Sequence, residues 1–213
     1  MAGTFITLEG IDGCGKSTQA RLLTDAFAHT GFEVVLLREP GGTAISEKIR
    51  ALLLDPANGE MCDECELLLY EASRAQLVRQ VIEPALARGA MVICDRFYDS
   101  TYAYQYGGRG LSKELVKTCN ALGSCGLVPT CTVVFDLDPA IALSRATKGG
   151  ADRLEGEGLR FQERIRDAYL ELAAEEPKRV ELVDAIGTPE EVYERLVAAL
   201  ADLLPAPQRS EEL

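Results

Sequence analysis

Basic residues are in short supply: 22 Lys and Arg stand against 34 Asp and Glu, a net charge of −12. That balance opposes binding to long polyanions through counterion release, so a nucleic-acid coat protein or a binder of anionic membranes is disfavoured. A small phosphate ligand is compatible with it, because a few cations and backbone amides can make a local positive site inside a negative molecule. No apolar stretch approaches bilayer length, and no cationic segment precedes the first apolar run, Thr4-Phe5-Ile6, so the expectation is a soluble cytosolic protein. Histidine is nearly absent, with His29 alone. The Cys-x-x-Cys pair Cys62 and Cys65 therefore supplies only half of a zinc site. The seven cysteines are an odd, scattered set, which fits a reducing compartment better than a disulfide framework. No repeat is visible. With 213 residues, 47% hydrophobic and 26% charged, the chain is long enough for one domain with a sizeable core.

Short apolar runs alternate with amphipathic stretches, the pattern of an α/β protein with a mostly parallel sheet covered on both faces. Strands are predicted at Thr4–Glu9, Glu33–Arg38, Ala90–Cys94, Thr132–Asp136 and Val180–Val183. Helices are predicted at Lys16–Thr30, Ile45–Leu54, Glu64–Arg88, Lys113–Leu122, Ala140–Thr147, Leu159–Ala174 and Pro189–Leu204. This gives a single domain over 1–204 followed by a polar tail over 205–213. Residues 148–158 hold four glycines and five charges with little to bury, the composition of a mobile lid.

The strongest signal is Gly10-Ile11-Asp12-Gly13-Cys14-Gly15-Lys16-Ser17, a complete phosphate-binding loop between a predicted strand and a predicted helix. Glycines let the backbone curl so that its N–H groups point inward, and the helix N-terminus adds positive potential. Lys16 is placed to reach β- and γ-phosphates, Ser17 to ligate Mg²⁺ and Thr18 to donate to an α-phosphate. The loop specifies a nucleoside triphosphate, not a reaction. The chain lacks an Asn-Lys-x-Asp guanine-reading motif and room for a coupling domain, which leaves small-molecule phosphoryl transfer.

Acceptor residues are expected at the carboxyl edge of the sheet. Arg38, followed by Glu39-Pro40-Gly41-Gly42-Thr43, comes off the second strand. Tyr70 and Arg74 are four apart and share a helix face, an aromatic plate beside a guanidinium. The third strand delivers Asp95, placed to hold Mg²⁺ or its waters, and Arg96, placed to bridge donor and acceptor phosphates. Ser100, Thr101, Tyr104 and Gln105 follow in a polar, aromatic run that reads as a binding segment.

Together, Leu8 to Thr18, Arg38 to Thr43, Tyr70 with Ser73 to Leu77, Asp95 to Phe97 with Ser100 and Ala103 to Gln105, and Asp152 to Glu155 resemble the bacterial thymidylate kinases of the nucleoside-monophosphate kinase superfamily. The resemblance runs through most of the chain. It implies a three-layer fold with a five-stranded parallel sheet and a lid, a homodimer, and Mg²⁺-dependent transfer of a phosphoryl group from ATP to dTMP. By the same resemblance, Tyr70 stacks on thymine, Arg74 contacts the base or phosphate region, and Arg38 and Arg96 hold the acceptor phosphate. Asp12 binds the sugar 3′-hydroxyl, Tyr104 packs beneath the deoxyribose, and Ser100, Thr101 and Gln105 lie near the base. Two departures are Tyr70 where phenylalanine is usual and Phe97 where tyrosine or histidine is common. Some members place a catalytic arginine in the phosphate loop and others in the lid; Gly13 stands at the loop position, so the role passes to Arg153, with Arg145 and Lys148 as neighbours. The alternatives are a kinase for another nucleotide or a nucleoside, or a non-catalytic nucleotide-binding regulatory module. A nucleoside kinase has no need of paired phosphate arginines, and a sensor has no need of groups aimed at a transferred phosphate.

Overall fold

In a computed structural model of the chain, the described residues are 3–27, 32–146 and 157–204. Five strands, β1 (Thr4–Glu9), β2 (Val34–Arg38), β3 (Met91–Asp95), β4 (Cys131–Asp136) and β5 (Val180–Asp184), form one parallel sheet in the order β2-β3-β1-β4-β5. The three central strands are apolar and almost wholly buried, as a sheet covered on both faces requires. Helices α1 (Lys16–Phe27), α2 (Ala44–Leu54), α3 (Asp63–Leu77), α4 (Glu83–Ala87), α5 (Tyr98–Thr101), α6 (Lys113–Gly123), α7 (Pro139–Ala146), α8 (Leu159–Glu175) and α9 (Pro189–Ala199), with a 3-10 turn at Pro56–Asn58 and two π-helical stretches, complete the described elements. Two apolar clusters form the core: one holds Ile6, Leu8, Leu23, Val133, Ile165 and Leu196, the other Phe5, Leu77, Val92 and Phe97. Phe5 and Phe97 meet edge to face with ring centroids 4.9 Å apart. The chain passes from β3 to β4 across β1, so the carboxyl ends of β1 and β3 flank the crevice where an open α/β sheet binds its ligand.

The five predicted strands match with one-residue shifts at some ends. Three helical regions differ from expectation. The helix expected to run unbroken from Glu64 to Arg88 is interrupted by a π-helical turn over Val78–Ile82. Pro84 cannot donate to the carbonyl four residues back, and the wider turn lets the Glu83 N–H reach Val78 instead. The second difference is the run read as a binding connector, which is helical throughout: α5 continues into a π-helical stretch over Tyr102–Gly108. Its serine, threonine and glycines carry no helical periodicity; packing against α8 decides the conformation. A Cβ on Gly107 would lie 2.6 Å from the Ala168 Cβ and 2.9 Å from the Arg164 carbonyl, so only glycine permits this approach. The helix predicted to reach Leu204 ends at Ala199. No helix among the described residues is long and apolar enough to cross a membrane. The tail over 205–213 and most of the lid candidate, 148–156, lie outside the described residues.

Candidate active site

The loop that follows β1 is shaped by three glycines with positive φ: Gly10 at 134°, Gly13 at 82° and Gly15 at 102°. At Gly13 the constraint is also steric, because a Cβ there would lie 2.1 Å from the Ala142 carbonyl oxygen of α7. No side chain, an arginine included, fits at position 13 in this backbone. The loop delivers the N-terminus of α1 to the crevice. Lys16 Nζ donates to the carbonyls of Gly10 at 2.9 Å and Ile11 at 2.8 Å. Ser17 Oγ donates to Asp95 Oδ2 at 2.5 Å, because β1 and β3 pair in a register that sets Leu8 beside Asp95. A hydroxyl and a carboxylate are hard oxygen donors, and the described residues contain no group of three or more His, Cys, Asp or Glu side chains suited to a metal. That donor set fits Mg²⁺, which is commonly held by one or two carboxylates together with substrate phosphates.

Arg96 follows β3 directly and adopts φ 73°, a left-handed conformation that costs a non-glycine residue about 1–3 kcal/mol. Its N–H donates to the Leu8 carbonyl. The guanidinium donates to the Gly10 carbonyl and Ser100 Oγ through Nη1, and to Asp12 Oδ1 (2.6 Å) and the Tyr104 hydroxyl through Nη2. The Tyr104 hydroxyl in turn donates to Asp12 Oδ2 at 2.8 Å. Burial alone would raise the Asp12 carboxyl, but the nearby charges of Arg96 and Lys16 outweigh it and hold the group down at about 2. Asp12, Arg96 and Tyr104 therefore form one rigid polar corner between the phosphate loop and α5.

The opposite wall is built on Arg74. It is 1% exposed and bound to Glu39 Oε2 (2.9 Å from Nε), Glu71 Oε1 (2.6 Å) and Thr101 Oγ1 (2.9 Å). The pair Tyr70 and Arg74 thus share the expected face, yet most of the guanidinium's donors are spent on the protein itself. Burial opposes the charge on Arg74, but Glu39 and Glu71 more than restore it. Two carboxylates share this one cation: burial pushes Glu39 up to about 7, with Glu71 adding to the rise against the pull of Arg74. Arg38 is half-exposed and bidentate on Glu47. Gln105 is fully buried and donates through Nε2 to Glu66 at 2.7 Å.

A cavity of about 640 Å³ joins these walls. Asp12, Arg38, Tyr70, Arg74, Arg96, Ser100, Thr101, Tyr104 and Gln105 all line it, as do Gly13 to Thr18 and Asp95. Gly10 and Ile11 do not: Gly10 contributes its carbonyl to Lys16 and Arg96, and Ile11 is buried in the core. Arg153 and Lys148 lie outside the described residues. Sequence reasoning missed Arg50 and Leu54 of α2, Gln19, and the segment Ala185, Gly187, Pro189 and Val192, all of which line the cavity; Arg145, expected beside the lid arginine, lines it too, as does Glu39 of the Arg38 loop. Arg50 had one legible signal: it shares a helix with Thr43, which caps α2 through Ser46 N just after the Arg38 loop. The segment Ala185 to Pro189 carried none, since it reaches the phosphate loop only through tertiary contact, where Gln19 Nε2 donates to the Pro189 carbonyl.

Residues 8–196 match a family model described as Thymidylate kinase. A thymidylate kinase of Desulforapulum autotrophicum is 48% identical over 204 residues, covering 92% of this chain and 90% of the relative. One of Pseudomonas putida strain GB-1 is 49% identical over 205 residues, covering 96% and 98%. Among solved structures, a thymidylate kinase from Ehrlichia chaffeensis superposes with a TM-score of 0.78 at 32% identity, covering 94% of this chain and 99% of that one. With residues 8–196 matching the family model and relatives about half identical over nearly the whole chain, the chain belongs to the thymidylate kinase family.

Proposed function

We propose that this protein transfers the γ-phosphoryl group of ATP to dTMP, yielding ADP and dTDP. The observation that carries the reading is one continuous cavity lined both by the phosphate loop and by Tyr70, Arg38 and Arg96. The ATP phosphates lie in the loop from Gly10 to Thr18, with Lys16 exchanging its carbonyl bonds for β- and γ-oxygens, and the ATP base occupies the end lined by Arg145, Gly187 and Val192. Ser17 and Asp95 hold Mg²⁺ directly or through water; when bound, the ion offsets charge on the ATP phosphates. The dTMP base stacks on Tyr70, with Ser100, Thr101 and Gln105 beside it; its sugar rests on Tyr104 with the 3′-hydroxyl toward Asp12.

The acceptor oxygen is already ionised at neutral pH, so alignment and charge neutralisation are the main requirements. Arg38 and Arg96 supply these at the acceptor phosphate, with Arg50 beside them, and Arg153 supplies them at the transferred group when the lid near 148–158 closes. The steric closure of Gly13 against Ala142 supports the lid arginine, since the loop has no room for one. Closure also keeps water from competing as acceptor. The reaction draws on cytoplasmic ATP and dTMP, and we place the protein there.

A homodimer completes the reading. Ile45 and Leu52 on α2, Leu68 on α3, and Leu115 and Leu122 on α6 are all exposed. The seven-residue spacings put each pair on one helix face, and the three helices pack side by side, giving an apolar surface suited to a second copy. Light scattering at twice 23.1 kDa, reduced to one chain by Leu68→Glu with Leu122→Glu, would establish it; a single-chain mass for the native protein would refute it.

The activity is tested by ADP release from Mg-ATP, challenged in turn with dTMP, dUMP, UMP, CMP, AMP, GMP and thymidine. Stimulation by dTMP with dTDP as product is expected. A response to another acceptor alone would overturn the base-pocket assignment, and silence with all of them would favour a nucleotide-binding regulatory module.

A further inference from the structure

Arg96 is held in a conformation it would not adopt alone, and what holds it lies one layer below the cavity. Glu9, the last residue of β1, is completely buried and does not line the cavity. Its Oε1 accepts the N–H of Phe97 at 2.7 Å, fixing the peptide that follows the left-handed Arg96. Its Oε2 accepts Ser100 Oγ at 2.5 Å and the Tyr169 hydroxyl of α8 at 2.9 Å. Ser100 has one proton. With that proton committed to Glu9, its oxygen is left as the acceptor that Arg96 Nη1 meets at 3.0 Å. The same carboxylate thus fixes the backbone of Arg96 on one side and the partner of its guanidinium on the other. Tyr169, 1% exposed and 3.0 Å from Ser100 Oγ, closes the network from α8.

We propose that Glu9, assisted by Tyr169, is a positioning residue for the reaction: it holds Arg96 in the left-handed backbone conformation and guanidinium orientation that receive the acceptor phosphate. This rests on the reading of Arg96 as an acceptor-phosphate ligand. Glu9 does not line the cavity; it acts through the groups it holds, Phe97 N–H and Ser100, which fix Arg96. Asp12 and Tyr104 fix the far side of the same guanidinium. A glutamine in place of Glu9 keeps the volume but offers one acceptor and one amide donor. Either the Phe97 N–H or the Ser100 and Tyr169 hydroxyls then face an NH₂ group.

The test is a double-mutant cycle between Glu9→Gln and Arg96→Ala, read as kcat, KM for each substrate and calorimetric dTMP affinity. Glu9→Gln is expected to lower kcat about 10- to 100-fold and weaken dTMP severalfold, with the ATP KM within about twofold of native. On the Arg96→Ala background the same change should alter dTMP affinity less than about twofold, the non-additivity expected of groups that act as a unit. Tyr169→Phe, which deletes one donor and little volume, should give a smaller loss of about 2- to 5-fold with the same dependence on Arg96, and it carries the cycle alone if Glu9→Gln does not fold. Native kcat in both variants, losses additive with Arg96→Ala, or equal losses for ATP and dTMP would overturn the proposal. If the unmutated enzyme responds only to a different monophosphate, the cycle is run with that acceptor; silence with every monophosphate would overturn the functional reading and this one with it.

Discussion

The two ends of the cavity are built from different materials. The donor end is mainly backbone: three glycines at positive φ and a helix N-terminus, with Lys16 as its cation. The acceptor end is side chain throughout, and its central cations rest on carboxylates: Arg74 on buried Glu39 and Glu71, and Arg96 on partly exposed Asp12 with buried Glu9 behind it. A backbone cradle is specified by consecutive residues and is largely independent of the rest of the core. A side-chain cradle draws on β2, α3, β3 and α5, so folding and binding depend on the same ion pairs.

This contrast can be broken most sharply with arginines. Arg153→Ala is expected to lower kcat by about 10³-fold or more, since a transition-state arginine is worth about 10³ to 10⁵, while ATP affinity measured by calorimetry changes less than about threefold. Native turnover in that variant would move the catalytic role elsewhere. Next in size is Arg74→Ala, which strands two buried carboxylates; removing one partner of a buried ion pair costs about 3–5 kcal/mol, read by denaturant unfolding. An unchanged midpoint would mean that the acceptor wall is not structural.

The pH dependence of stability sharpens the same comparison. Glu9 and Glu39 are each raised from 4.5 to about 7, burial being the largest cause. Between those values the folded protein holds protons that the unfolded chain has released, so stability falls as pH rises from about 4.5 to 7. The loss should be on the order of 1–3 kcal/mol per group, and Glu39→Gln should flatten the slope measured by unfolding between about pH 5 and 7.5. Asp12 works the other way: held down at about 2, it supports the fold above its unfolded value of 3.8 and loses that support as pH falls toward 2. The smallest effect is expected from Arg50→Ala, a rise of about 2- to 10-fold in the dTMP KM with the ATP KM unchanged, since one cation among several at a phosphate is worth about 0.5–1.5 kcal/mol. An equal rise in both would place Arg50 outside the acceptor end.

The donor end is legible in the sequence alone, because Gly10 to Ser17 encode their conformation locally and the flanking apolar strand is unambiguous. The acceptor residues are legible as residue types, and the cavity gathers all nine of them. Their connections are not. Nothing local says that Arg74 spends its donors on Glu39 and Glu71, or that Glu9 reaches Phe97 across 88 positions. The helical state of Tyr98 to Gly108 is hidden for a related reason, since its glycines deny helix propensity and gain their value only against α8.

The contact between Gly13 and Ala142 also bears on descent. An arginine at position 13 meets both a φ of 82° and a carbonyl 2.1 Å away, so it is accommodated only after α7 has shifted. By itself the substitution deforms the loop, and a shifted α7 by itself leaves the loop unsupported. A chain with this backbone therefore has no single-substitution route to an arginine at position 13.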